Sequence, residues 1–110
     1  MNPLVSVIIT TKNEAVNLPR LCQSLKIQTY IPIEVIIVDN YSADSTVTVA
    51  RTYTSKVFSK SNERSAQRNF GAKKALGRYF LFLDADMKLP RQLISECVAV
   101  IEKGRANAVI

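Results

Sequence analysis

Two carboxylates one residue apart close the apolar run Tyr79-Phe80-Leu81-Phe82-Leu83-Asp84-Ala85-Asp86. Such a short apolar run reads as a strand buried on both faces. Acids have no use inside that strand, so Asp84 and Asp86 are expected at its C-terminal end, where open parallel sheets bind their ligands. At i and i+2 of an extended segment the two point the same way. Together with the oxygens of a phosphate ligand they suit a hard divalent cation. A loop start with two solvated aspartates is the plainer reading, and the pair alone does not separate the two.

A counterpart for those acids lies just upstream. Residues 51–80 hold eight bases (Arg51, Lys56, Lys60, Arg64, Arg68, Lys73, Lys74 and Arg78) against one acid, Glu63, in a chain whose net charge is +6. This segment points to a polyanionic ligand or an anionic membrane surface, although a solvated helix face would account for Lys73 and Lys74. Arg64 and Arg68, four residues apart, share a helix face and are the best diphosphate candidates. Nucleic acid finds no support, because the chain has no RNP-type aromatic motif, zinc finger or recognisable helix-turn-helix. There is no histidine, no G-x-G-x-x-G, no G-x-x-x-x-G-K-[ST] and no G-x-S-x-G. Standard NAD enzymes and P-loop NTPases are thereby excluded, and phosphate is left to metal plus arginine.

The surrounding elements must bring these groups together. A chain of 110 residues, 47% apolar, is one domain or part of one. No apolar run approaches the roughly 20 residues that span a bilayer. The N-terminus lacks the basic and small-residue features of a signal peptide. Cys22 and Cys97 lack metal-ligand spacing and are expected as buried, reduced thiols of a cytosolic protein. Leu4–Thr10 reads as the first strand and residues 11–14 as the loop at its end. Ala15–Gln28 reads as a helix with Leu18, Leu21, Cys22 and Leu25 on its apolar face, Asn13 as N-cap, and Pro19 shifting the regular start toward Leu18. Glu34–Asp39 is a second strand ending in an acid. The capping-rich loop 40–46 leads into a helix over 45–53, capped by Asp44 or Ser42. Residues 56–59 form a short strand near the sheet edge. A helix over 61–76 turns Ala66, Phe70 and Ala75 inward and ends on Gly77 as C′ glycine. Pro90–Lys103 is a helix with Leu93, Ile94, Cys97, Val98 and Ile101 inward, stopped by Gly104, and Ala106–Ile110 begins a fifth strand. This alternation predicts an α/β sandwich with a mainly parallel sheet. The loops 10–14, 39–44 and 84–86 would then line one crevice.

Four stretches carry a resemblance over essentially all of residues 4–110. They are Val5-Ser6-Val7-Ile8-Ile9-Thr10-Thr11-Lys12-Asn13-Glu14, Ile37-Val38-Asp39-Asn40-Tyr41-Ser42-Ala43-Asp44-Ser45-Thr46, Gln67-Arg68-Asn69-Phe70-Gly71 with Ala75 and Gly77, and Phe82-Leu83-Asp84-Ala85-Asp86. In this order they resemble the N-terminal, nucleotide-binding half of a family 2 glycosyltransferase of the GT-A fold. The resemblance implies that residues 1–110 form the nucleotide-sugar-binding half of a domain continuing beyond them. Thr10, Thr11, Lys12, Asn13 and Glu14 would line base and ribose. Asp39 and Asn40 would contact the base, and Arg64 or Arg68 would face the diphosphate. Asp84 would lie near the ribose, and Asp84 and Asp86 would be the D-x-D holding Mg2+ or Mn2+. The donor would be a nucleotide-diphosphate sugar, a UDP-sugar first. The acceptor is open, with a lipid-linked or envelope glycan as candidates. The location would be cytoplasmic, with peripheral contact at the inner face of the membrane through the basic segment. Asn40 stands where the family commonly has its second acid and Tyr41 where it has glycine, so uracil and guanine both remain open. The family's general base lies well after the D-x-D, and no residue here is assigned that role. The rival is a truncated, non-catalytic nucleotide-sugar-binding or partner module. A sugar nucleotidyltransferase is disfavoured because residues 10–14 lack its glycines.

Overall fold

The computed structural model describes residues 2–61 and 63–104. Four strands and four helices alternate: β1 (Val5–Thr11), α1 (Leu18–Lys26), β2 (Ile33–Asp39), α2 (Thr46–Arg51), β3 (Val57–Ser59), α3 (Arg64–Lys74), β4 (Tyr79–Asp84) and α4 (Leu93–Glu102). All strand pairings are parallel, in the order β3-β2-β1-β4. The expected α/β sandwich with a parallel sheet is what forms. The fifth strand expected over 106–110 lies outside the described residues.

Strand β1 is buried at every position, as a central parallel strand covered on both faces must be. Its alternation divides the core in two. Val5, Val7 and Ile9 face Leu18, Leu21, Cys22 and Leu25 of α1, Ala50 of α2, and Ile94 and Val98 of α4. Ile8, with Ile36 and Val38 of β2, faces Phe70 and Ala72 of α3. Full burial of each such aliphatic chain contributes about 1.5–3 kcal/mol. The chain runs outward from β1 through β2 to β3 over α1 and α2. Helix α3 then crosses the opposite face, and β4 lands on the other side of β1. The strand order therefore reverses between β1 and β4, which is where a doubly wound sheet opens a crevice at its C-terminal edge.

Glycine governs how α3 docks. A Cβ on Gly71 would lie 2.5 Å from Ile8 Cγ2 and 3.2 Å from Val38 Cγ2, so only glycine lets the helix sit this close. Gly77 has the same reason elsewhere: a Cβ there would meet Ser6 Oγ at 2.4 Å and Leu4 O at 2.9 Å. It is therefore a close-approach residue beside β1, not the C′ residue of α3, which ends earlier at Lys74 with Ala75 as its cap. Gly104 follows α4 with φ 71°, the left-handed stop expected of it.

Other local expectations change. Strand β4 is not buried on both faces. Phe80 and Phe82 are 45% and 41% exposed, because β4 is the outer strand of the described sheet and α3 does not reach over it. Phe70 and Ala75 pack against the sheet as expected, and Gln67 and Gly71 are buried deepest because the closest approach to the sheet is at Gly71. Helix α1 begins at Leu18 with Asn17 as its cap, and Asn13 lies upstream with φ 55°. Helix α4 begins at Leu93, after a turn in which the Leu93 amide bonds to the Pro90 carbonyl. No helix among the described residues is long and apolar enough to cross a membrane. Cys22 is buried and Cys97 half-buried, and neither is bridged. Burial pushes the Cys22 thiol up to about 11.

Candidate functional site

Thr10 and Asp84 are register partners on adjacent parallel strands, at the place where the strand order reverses. They occupy the sheet face that α3 covers. Thr10 is 6% exposed, and its Oγ1, like Asp84 Oδ1, is buried without a hydrogen-bond partner among the described residues. Leaving a buried polar atom unpaired costs about 1–3 kcal/mol, so two adjacent ones single this place out as a candidate site. Both line a cleft of about 200 Å³ together with Thr11, Lys12, Glu14, Asn40, Arg64 and Gln67.

The floor of this cleft is held by Gln67, which is 4% exposed. Its Nε2 donates to the Thr11 carbonyl at 3.2 Å and to the Val38 carbonyl at 2.9 Å. Thr11 is the last residue of β1 and Val38 the last but one of β2, and the Thr11 carbonyl also accepts from the Asn40 amide at 3.0 Å. Gln67 was not among the expected site residues. The signal for it is its spacing of four from Gly71, which puts both on the sheet-facing side of α3.

The loops after β1 and β2 are stitched to one another. Lys12 Nζ donates to Asn40 O at 2.8 Å and to Tyr41 O at 3.4 Å. The Asn13 amide donates to Ser42 Oγ (2.7 Å), and Asn13 Oδ1 accepts from the Ala43 amide (2.8 Å). The Glu14 amide donates to Thr46 Oγ1 at 2.9 Å. Asn13 and Tyr41 have φ of 55° and 44°, strain that asparagine tolerates better than tyrosine. Asp39 is fully buried, and its carboxylate accepts from Thr11 Oγ1 (2.6 Å), the Ser42 amide (2.8 Å) and Ser42 Oγ (2.6 Å). Asp44 accepts from the hydroxyl and amide of Thr46, which hold its carboxyl below the usual range.

The sequence-derived site residues thus separate into two groups. Thr10, Thr11, Lys12, Glu14, Asn40, Arg64 and Asp84 line the cleft. Asn13 and Asp39 do not, and in this structure their side chains hold the loops that carry their neighbours. Arg64 and Arg68 do share a face of α3, and both reach Asp84: Arg64 Nη1 lies 3.7 Å from Oδ2 and Arg68 Nη2 3.9 Å from Oδ1. These are half-exposed charge contacts, too long for hydrogen bonds and weak on their own. Arg68 stands outside the cleft lining.

The acidic pair is not one extended segment. Strand β4 ends at Asp84, and the chain turns at Ala85 and Asp86, with the Met87 amide bonded to the Asp84 carbonyl at 3.2 Å. The turn forms because Ala85 buries its methyl completely, pulling the backbone inward after the last ladder residue. Asp86 is exposed, and its carbonyl accepts from Arg20 Nη2 at 3.0 Å. Alternation along a strand therefore does not set where its carboxylate points. Among the described residues, no three or more His, Cys, Asp or Glu side chains gather in one place. A cation held at this edge would take most of its oxygens from a ligand, as Mg2+ commonly does with phosphates.

The family description "Glycosyl transferase family 2" matches residues 6–110. The glycosyltransferase AglE of Haloferax volcanii is 32% identical over 108 residues, covering 90% of this chain and 36% of AglE. Among solved structures, residues 1–349 of S. aureus TarS in complex with UDP-GlcNAc superpose with a TM-score of 0.75 at 28% identity. That match covers 90% of this chain and 31% of TarS 1–349. The mannosyltransferase PcManGT of Pyrobaculum calidifontis, in complex with GDP-Man and Mn2+, gives a TM-score of 0.80 at 26% identity, covering 89% of this chain and 32% of PcManGT. The chain spans about a third of the length of AglE, TarS 1–349 and PcManGT, and 19% of the longer TarS chain.

Proposed function

The chain belongs to glycosyl transferase family 2, and we propose that its cleft binds the nucleoside diphosphate of a nucleotide-sugar donor for transfer to an acceptor. The observation that carries this reading is the pair of buried atoms without a hydrogen bond, Thr10 Oγ1 and Asp84 Oδ1, at the reversal of strand order. A ribose or phosphate group entering the cleft would bond to both. Arg64, with Arg68 behind it, places positive charge beside that position, and Lys12 holds the loop that carries Asn40. Asn40 and Glu14 offer the base and ribose donors and acceptors in place of water. UDP, as in the TarS complex, and GDP, as in the PcManGT complex, are the two donors to compare.

The donor set also fits a divalent cation. Asp84 Oδ1 has no hydrogen bond, only the long charge contact to Arg68, Asp86 offers an exposed carboxylate two residues on, and both are hard oxygen ligands suited to Mg2+ or Mn2+. When bound, such an ion stabilises the departing nucleoside diphosphate as a Lewis acid. The acceptor group, and any contact of the basic 51–80 segment with an anionic membrane surface, belong to the same proposal.

A thermal-shift series of UDP, GDP and ADP, each with and without Mn2+, tests it on wild type and on Asp84→Ala and Asp86→Ala. A metal-dependent stabilisation by one nucleotide, reduced in both variants, is the expected result. Equal shifts in wild type and both variants would overturn the metal assignment. No shift with any nucleotide would overturn the binding reading.

A further inference from the structure

One polar stripe of α1 is tied to the segment that follows the acidic pair. Arg20, Ser24 and Gln28 stand four residues apart, Gln28 just past the helix end, and so lie along one side of the helix. Each bonds to backbone between residues 86 and 94. Arg20 Nη2 donates to the Asp86 carbonyl at 3.0 Å. Ser24 Oγ accepts from the Leu89 amide at 3.1 Å. Gln28 Nε2 donates to the Pro90 carbonyl at 2.7 Å, and its Oε1 accepts from the Ile94 amide at 3.2 Å. The Thr29 amide completes the series on the Arg91 carbonyl at 3.0 Å. Ser24 and Gln28 are 3% and 7% exposed, so these rungs are shielded from water, whereas Arg20 is exposed.

The segment they hold has little regular structure of its own between β4 and α4. Buried Ala85 and Leu89 anchor it by packing, which is non-directional, and the Met87 amide bonds back to the Asp84 carbonyl without tying the turn to α1. The rungs supply that tie. Only the Arg20 rung reaches Asp86, the outer carboxylate of the proposed cation pair.

We propose that Arg20 is a positioning residue for Asp86, the outermost rung of an α1 ladder that fixes the acidic turn relative to Asp84. It acts through the Asp86 backbone, leaving the carboxylate to the ligand. The proposal rests on the nucleotide-binding reading above and adds to it the device that sets its outer carboxylate.

The test uses the 110-residue chain and Mn2+ with UDP, and with GDP in parallel. Bound Mn2+ is followed by electron paramagnetic resonance in wild type, Arg20→Ala and Arg20→Lys. Partners that orient a metal's ligands change affinity by about 10–100-fold. A single bond to a backbone carbonyl places Arg20→Ala near the lower end, a loss of about tenfold, with partial recovery in Arg20→Lys. Hydrogen exchange without ligand gives the independent reading: faster exchange in Arg20→Ala confined to amides 86–88, with α1 and the sheet unchanged. Wild-type Mn2+ affinity and exchange in Arg20→Ala would overturn the proposal, as would exchange accelerated throughout the chain, which marks Arg20 as a general stabiliser. If wild type binds no Mn2+ with either nucleotide, the metal reading fails instead, and the exchange at 86–88 still decides whether Arg20 holds the turn.

Discussion

Replacing Gly71 with alanine probes how tightly α3 is docked and what it carries. The new Cβ would stand 2.5 Å from Ile8 Cγ2 and 3.2 Å from Val38 Cγ2. Carbon atoms in good contact sit about 3.5–4.0 Å apart, so the first overlap is about 1 Å. Ile8 and Val38 are fully buried, and their branched side chains have stiff χ1 angles, so neither can swing aside. The helix must lift instead. Overpacking of this severity costs about 3 kcal/mol, and the better helix propensity of alanine returns about 1 kcal/mol, leaving a loss of about 2 kcal/mol. At about 1.5 kcal/mol per molar urea, the unfolding midpoint followed by circular dichroism falls by about 1.3 M. Truncating the obstacle provides a cross-check. The double variant Gly71→Ala with Ile8→Ala should be less destabilised than the two single losses together, by about 1 kcal/mol or more. Lifting α3 also moves Gln67, Arg64 and Arg68, so nucleotide affinity should fall in the same variant. A midpoint unchanged or raised by Gly71→Ala, or strictly additive single and double variants, would refute the close-docking argument.

Two further outcomes follow from other contacts. Gln67→Leu removes a buried donor to the Thr11 and Val38 carbonyls, of which Thr11 keeps the Asn40 amide, so a loss of about 1 kcal/mol in urea unfolding is expected. An unchanged midpoint would show that those carbonyls find water. Glu34 accepts from Lys56, Ser6 and the Leu76 amide: burial pushes its carboxyl up, but these bonds outweigh burial and hold it below the ordinary 4.5. A depressed carboxylate contributes fully above about pH 4.5 and loses that contribution as pH falls through the folded value, so Glu34→Gln should flatten the acid side of the stability–pH curve. Parallel curves for the two proteins would exclude this contribution.

The parallel α/β plan, the apolar runs that become β1, β2 and β4, and the contributions of Thr10, Thr11, Lys12, Glu14 and Asp84 to the cleft were legible in the sequence. Each is local: an apolar run ending in polar groups declares a strand and its ligand-facing end. The pairing of Arg64 and Arg68 on one helix face is equally local, a matter of four-residue spacing. What the tertiary structure alone decided depends on groups far apart in the chain. Asp39 resembles a ligand contact in sequence, yet its carboxylate closes on Thr11, 28 residues away, and on Ser42. Phe80 and Phe82 read as buried, yet exposure depends on which face α3 covers and which edge β4 occupies. The acidic pair reads as one extended motif, yet burial of Ala85 turns the chain after Asp84, and Arg20, 66 residues away, holds the Asp86 carbonyl. Periodicity along a chain reports the conformation of a segment. Which partner satisfies a buried polar group is settled only when the layers have packed, because desolvation is a property of the assembled fold.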